Sequence, residues 1–252
     1  MPTRTFAIGD IHGDLAQLKI ILGKLPRLTA EDTVVFLGDY LDRGLDSAGV
    51  VALLRAFPSQ TEARVVCLRG NHEDGWLRAM NGKWPQFVMP PGNGCLQTME
   101  SFLGRNVSPP GTGFESEDFN VLFSGSFFPP DVVDWMGELP YWYEDEHGIY
   151  VHAGLPEVDG RFIHPSEVGD GPQRTALMWM RDKKFFRDYR GKLVVFGHTA
   201  TNDLPPELST YTPEDPDDFW AGPAAVGLDT GCGKGGFLTA LELPANRVYE
   251  SR

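Results

Sequence analysis

The sequence predicts an α/β protein in which two mixed β-sheets pack as a sandwich flanked by helices. Three observations lead there. Up to Met80 the chain alternates short β-branched runs with segments of helical periodicity, the β-α-β pattern. The second half reads mostly as further strands. Four of the six histidines sit in short motifs that each end a predicted strand, and open α/β sheets place their ligands at such carboxyl ends.

Taken in order, Thr5–Gly9, Thr33–Leu37 and Arg64–Leu68 are the first strands, rich in β-branched and aromatic residues. Asp14 can cap a helix in which Leu15, Leu18, Leu22 and Leu25 recur at helical spacing. Asp46 and Ser47 can cap Ala48–Phe57, which Pro58 closes. A shorter helix is expected over Glu73–Met80. The pattern then breaks. Residues 83–113 hold prolines at 85, 90, 91, 109 and 110 and a helical run near Cys95–Leu103, and read as a variable excursion above the sheet. Val121–Phe123 fits a strand or a buried apolar patch, and Asp131–Leu139 a helix capped by Asp131. Ile149–Val151, Leu193–Phe196, Ala225–Leu228 and Phe237–Leu243 complete the strands, three of them followed by His152, His198 and Asp229-Thr230-Gly231. Residues 204–223, with five prolines and five acidic side chains, form either a solvated loop or one that overhangs the end of the strand before His198.

A chain of 252 residues, 41% apolar, suffices for one substantial core, and no low-complexity linker or repeat divides it. Residues 1–252 are therefore expected to form a single domain. The net charge of −13 argues against a nucleic-acid partner and against adsorption to anionic lipid. Bound divalent ions would reverse that sign locally, so a phosphorylated substrate remains compatible. Cys67, Cys95 and Cys232 cannot all pair and show no Cys-x-x-Cys spacing, which fits a reducing compartment. Without a leader-like start or an apolar stretch of spanning length, a cytoplasmic protein with no membrane partner is expected. Composition says nothing about oligomeric state.

The motifs carry the chemistry. Gly9-Asp10-Ile11-His12-Gly13 places Asp10 and His12 two residues apart, hence on one side of an extended strand. Asp39, in Gly38-Asp39-Tyr40-Leu41-Asp42-Arg43-Gly44, follows the neighbouring strand, and a carboxylate with two oxygens can bridge two cations. Asn71, in Gly70-Asn71-His72-Glu73, offers a neutral, hard amide oxygen. On extended backbone His72 would point away from Asn71, a poor ligand position but a good one for protonating a leaving alkoxide. Asp42 is the partner to hold that imidazole charged, unless it serves only as a turn carboxylate. His152, in His152-Ala153-Gly154, and His198, in Gly197-His198-Thr199, complete a donor set suited to two metal ions. Nitrogen, oxygen and amide donors suit manganese, iron or zinc. Arg43 and Arg181 offer forked guanidinium donors for phosphate, although Arg181 could instead pair with Asp182 or Glu167. His147 and His164 are expected on the surface, and Cys232 lacks a base that would make it a nucleophile.

These motifs in this order, with Trp179-Met180-Arg181, resemble the phosphoprotein phosphatase family of calcineurin-like metallophosphoesterases, and most of all its compact bacterial and phage serine/threonine phosphatases. The resemblance runs from residue 5 to about 243. It implies a dinuclear centre at the strand ends, one metal on Asp10, His12 and Asp39 and the second on Asp39, Asn71, His152 and His198. It implies His72 with Asp42 as the acid pair, and Arg43, Arg181 and Asn71 as phosphate contacts. The implied reaction is hydrolysis of a phosphomonoester by direct attack of a metal-bridging hydroxide, with Mn²⁺ the expected ion. Two departures stand out: Ala153 replaces a glycine of the eukaryotic His-Gly-Gly, and the long eukaryotic C-terminal segment has no counterpart. Symmetrical diadenosine tetraphosphatases share Gly-Asp-x-His-Gly and Gly-Asn-His. Asp42-Arg43-Gly44, Glu73 and the lack of an evident basic cluster favour the phosphomonoesterase branch instead. A catalytically silent phospho-binding module would show degenerate ligands, and every proposed ligand is in place.

Overall fold

The computed structural model describes residues 3–210 and 218–252. The stretch 211–217, central to the 204–223 loop, lies outside the described residues. β1 (Thr5–Ile8), β2 (Thr33–Phe36) and β3 (Arg64–Cys67) run parallel side by side. Each stops one residue before its apolar run does, where the chain turns toward the strand ends. α1 (Leu15–Lys24) starts where Asp14 accepts the Gln17 N–H, and α2 (Ser47–Ala56) where Asp46 accepts that of Gly49. α3 (Asn71–Met80) begins two residues earlier than its sequence pattern predicts. The reason is Glu73, whose carboxylate accepts the Gly70 N–H and so closes the first turn directly after that glycine.

The middle of the chain is more helical than expected. α4 (Cys95–Phe102) matches the expected run, but residues 121–123 belong to α5 (Phe119–Ser124), ended by Gly125 at φ 60°. The strand alternative there is overturned; burial of Leu122 is what its apolar pattern encodes. α6 (Pro130–Glu138) begins with Pro130, so Asp131 lies inside the helix rather than capping it, and pairs with Arg55 at 2.7 Å. The strands β4 (Trp142–Glu144), β5 (Ile149–Val151), β6 (Glu157–Val158), β7 (Arg161–Phe162) and β8 (Val194–Phe196) follow, with α7 (Pro172–Trp179) and α8 (Lys183–Asp188) before β8. β9 (Trp220–Ala221), β10 (Ala225–Gly227), β11 (Thr239–Leu243) and β12 (Arg247–Glu250) finish the chain.

One sheet has the order β12-β11-β1-β2-β3 and the other β4-β5-β8-β10-β9. Period-two alternation explains how they pack. Ala7, Val35 and Leu37 face Tyr150, Val195 and Leu228 across the sandwich, while Phe6, Ile8, Val34 and Phe36 turn outward onto Leu18, Ile21, Val50 and Leu54 of the helices. On the far side, Val151, Val194 and Phe196 pack against Leu177, Phe185 and Phe186. The result is the expected mixed sandwich with helices on both faces. In each sheet three strands are parallel, β1-β2-β3 in one and β5-β8-β10 in the other. No helix among the described residues is long and apolar enough to cross a membrane.

Candidate metal centre

Loops that carry the candidate ligands leave both sheets through strained backbone. Among the described residues, seven that are not glycine have positive φ, and five of them are here: His12 (47°), Asp39 (55°), Asp42 (73°), Arg43 (70°) and His198 (65°). Asp10 and His12 therefore do not share a strand face as the two-residue spacing predicts. β1 has already ended, and the left-handed turn at His12 swings its ring back beside the carboxylates. His12 Nε2 lies 3.4 Å from Asp39 Oδ2 and 3.8 Å from Asp10 Oδ2. Gly38, at φ 108°, permits a close crossing, since a Cβ there would fall 2.6 Å from the Gly70 backbone and 2.8 Å from His152 Nδ1.

Glu73 is the peg of this region. Its buried carboxylate accepts the N–H groups of Asp39, Gly70 and Tyr40 at 2.9–3.0 Å and of Leu41 at 3.4 Å. Burial pushes this carboxyl up to about 7, the nearby Asp39 charge adding to the effect. In the sequence Glu73 reads as a marker of substrate class, whereas its contacts are with the loop backbone. The clue was its place three residues after Gly70, the capping-box position.

Two groups of ligand atoms meet at Asp39: His12, Asp39 and His72 form one, and Asp39, His152 and His198 the other, each with atoms within 4.8 Å of one another. Asn71 Oδ1 joins the second, 2.9 Å from His152 Nε2 and 2.7 Å from His198 Nδ1. His152 Nε2 is 3.3 Å from Asp39 Oδ1. Asp10 sits between the sheets' contributions, both its oxygens accepting the His198 N–H at 3.0–3.1 Å.

The donor set fits divalent metals. His12 Nδ1 contacts the Leu41 carbonyl at 3.0 Å and His152 Nδ1 the Leu37 carbonyl at 2.8 Å. A carbonyl only accepts, so Nδ1 carries the proton and each Nε2 faces the carboxylates, the arrangement that orients metal-binding imidazoles. Among the described residues, His198 Nε2 is buried without a hydrogen-bond partner. Electrostatics agree with a site built for added positive charge. Burial raises Asp10 well above the carboxylate range, helped by Asp229. Burial also works against ionised Asp39, but the imidazoles of His152, His72 and His12 outweigh it and hold Asp39 well below that range. Burial likewise opposes a charged His152, yet Asp39 raises it to about 9. His12 is pushed far down by burial and by Arg43, and His198 by burial and by His152.

His72 opens α3 on its first turn, so the extended-backbone argument for its direction does not apply. Helical geometry, about 100° per residue, is what separates it from Asn71. Its Nδ1 lies 2.6 Å from Asp42 Oδ2 and its Nε2 3.9 Å from Asp39 Oδ2. Asp42 is fully buried and also accepts from Trp76 Nε1 at 2.9 Å and Thr98 Oγ1 at 2.6 Å. It is thus a buried partner of His72 and not a mere turn carboxylate.

A cleft of about 500 Å³ opens beside these groups, lined by Arg43, Arg181, His198, Asp203 and Lys234 and walled by Pro91 and Pro110 of the excursion. Arg43 reaches inward to contact His12 Nε2. Arg181 is exposed at the cleft wall, and the pairings considered for it are taken elsewhere: Glu167 binds Arg161, and Asp182 caps α8. Lys234 was missed in the sequence because a lone lysine in a glycine-rich turn carries no signal of its neighbours. It lies 3.3 Å from buried Asp229 and also lines an adjoining pocket of about 250 Å³. The wall near His198 comes from Ala200 and Asp203 rather than from the described part of 204–223, whose Leu204 joins the core behind β8 and β10. His147 and His164 are half-buried, bonded to the Thr3 carbonyl and to Ser166. Cys232 is buried against the Ile11 carbonyl, its thiol pushed up by burial.

The sequence profile of the calcineurin-like phosphoesterases matches residues 3–202. Among solved structures, a protein carrying the provisional assignment of diadenosine tetraphosphatase superposes with a TM-score of 0.60 at 21% identity, over 99% of this chain and 96% of that one. A cold-active protein-tyrosine phosphatase from a psychrophilic Shewanella species gives 0.56 at 16% identity, over 99% and 78%. A protein serine/threonine phosphatase from Saccharomyces cerevisiae gives 0.51 at 15%, over 98% and 79%. At these identities the superpositions speak for the fold.

Proposed function

From the premise that this chain belongs to the calcineurin-like phosphoesterase family and is a metal-dependent hydrolase, we propose that it cleaves phosphomonoesters, as a serine/threonine protein phosphatase. The observation that carries this reading is the buried His72–Asp42 pair at 2.6 Å. An alkoxide, the leaving group of a phosphoserine or phosphothreonine, needs a proton as the bond breaks. A phosphate expelled from an anhydride departs readily without one. A built proton donor therefore favours the ester.

In this reading Asp10, His12 and Asp39 hold one divalent ion, and Asp39, Asn71, His152 and His198 hold the other, with manganese the ion expected. When bound, the ions supply Lewis acidity to the phosphoryl oxygens and lower the pKa of coordinated water. Arg43 and Arg181 grip the phosphoryl oxygens from the cleft, with Asn71 beside them. His72 delivers its Nε2 proton to the leaving oxygen while Asp42 holds the Nδ1 proton and keeps the ring aligned.

Lys234 favours a second reading, a symmetrical dinucleoside polyphosphate hydrolase. It joins Arg43 and Arg181 as a third cation along the cleft, a basic grouping that the sequence alone does not display. Metal-stripped protein resupplied with Mn²⁺ and offered a phosphoserine peptide and diadenosine tetraphosphate side by side separates the two. Preference for the peptide, lost in His72→Asn, is the expected result. Preference for the dinucleotide would assign the substrate to the second reading.

A further inference from the structure

We propose that Thr98, on helix α4 of the excursion, is a positioning residue that sets the His72–Asp42 pair for proton delivery. The inference rests on the reading of His72 as the acid. Asp42 is fully buried at φ 73°, and a buried carboxylate in strained backbone must be held by donors. Thr98 holds it at two points. Its Oγ1 donates to Asp42 Oδ1 at 2.6 Å and accepts the Asp42 N–H at 2.9 Å. The one hydroxyl proton of Thr98 goes to the carboxylate, so Ser47 Oγ, 3.1 Å away, must donate to Thr98. Ser47 Oγ in turn accepts the Asp42 N–H at 3.1 Å. The two hydroxyls close a ring around one residue and feed a chain from Ser47 through Thr98 to Asp42, with His72 donating from the opposite side.

Trp76 also donates to Asp42, at 2.9 Å and 3.2 Å to its two oxygens. That contact restrains the carboxylate alone. Thr98 fixes carboxylate and backbone together, so its loss lets Asp42 rotate away from the bond to His72 Nδ1. The His72 ring is then free to turn, and its Nε2 leaves the line to the departing oxygen. Only substrates whose leaving group needs that proton register the change. Helix α4 is thereby part of the working site, although it lies in a segment that sequence reading treats as a variable excursion.

The test uses Mn²⁺-loaded protein with two small monoesters, phosphoserine and p-nitrophenyl phosphate, whose nitrophenolate departs without protonation. Thr98→Val, which keeps the shape and removes both hydrogen bonds to Asp42 together with the one from Ser47, should lower kcat on phosphoserine about tenfold or more and on p-nitrophenyl phosphate by no more than about twofold. Manganese content should stay unchanged, and Thr98→Ser should restore the phosphoserine rate. Equal losses on the two esters, or no loss on either, overturn the proposal. His72→Asn serves as reference: if it too treats the esters alike, the acid assignment falls and the inference with it. A selective His72→Asn beside an indifferent Thr98→Val overturns the inference alone. Should Thr98→Val fail to fold, Ser47→Ala reads the same chain, a selective loss supporting the proposal and an unselective one overturning it.

Discussion

Residues 5–80 reach the site through loops at the ends of parallel strands, whereas residues 83–128 reach it through side chains of packed helices. The first region supplies Asp10, His12, Asp39 and Asn71, with Glu73 pinning the loops between them. The second supplies Thr98 to Asp42 and sets Phe87 edge-on to His72, ring centroids 5.6 Å apart, as part of the cluster around Trp76. In the proposed reading the first region offers these four side chains to the ions, and the second holds the proton donor in place. Metal content should therefore separate the two roles: variants of Asp10, His12, Asp39 and Asn71 should lose it, and variants of the second region should keep it.

The largest effect is expected at the point where both ligand groups meet. Asp39→Ala should lower metal affinity by more than the roughly 100-fold seen for the partners of ligands, and abolish turnover, with metal counted by elemental analysis. Retention of two ions per chain would break the comparison at once. His72→Asn comes next: kcat on phosphoserine should fall by about 10² to 10⁴-fold with both ions still bound. Loss of metal there would instead make His72 a ligand, as its place beside His12 and Asp39 permits.

Glu73→Gln offers the backbone one acceptor oxygen where the carboxylate offers two. It should destabilise the protein by about 1–3 kcal/mol and weaken metal binding, read by thermal melting with and without Mn²⁺. A variant as stable as the parent would show that the peg is dispensable. The last effect is spread over a range of pH and is modest at any one step. In the metal-free protein Asp39 raises His152 to about 9, so a metal must displace a proton at neutral pH. Affinity should rise by up to about tenfold per pH unit toward 9 and then level off. The same shift stabilises the metal-free fold fully below about pH 6.5 and is lost as pH rises through 9. Metal-free melting temperature should fall across that window while the metal-loaded value holds. Titration calorimetry in buffers of differing ionisation heat reads the released proton directly, and no release would exclude His152 as a ligand.

Much of the first region is legible in the sequence because strand ends, caps and glycines are local features. Asp14 and Asp46 cap the helices expected of them, and the chemistry-bearing residues of the Gly-Asp-x-His-Gly, Gly-Asp and Gly-Asn-His motifs converge in space. What escaped was geometry: His12 turns through positive φ instead of lying on a strand, and Asn71 and His72 open a helix. The excursion was illegible because its role is tertiary. Thr98 is 56 residues from Asp42, and nothing in a short window links a helical threonine to a distant carboxylate. Lys234 escaped for the same reason, its cleft neighbours coming from remote segments. The short β4, β9 and β12 escaped because none of them holds the continuous run of three apolar residues that marks β5 and β8.

The left-handed backbone at His12, Asp39, Asp42, Arg43 and His198 also bears on how such a chain drifts under mutation. A non-glycine residue held there costs on the order of 1–3 kcal/mol when its surroundings do not compensate. Glycine would relieve that strain at any of the five while deleting the functional group. A library of random variants sorted only for resistance to heat should therefore enrich substitutions such as Arg43→Gly, and catalysis would erode as hardiness improved. In lineages released from this chemistry, glycine in these loops should mark the first step of decay.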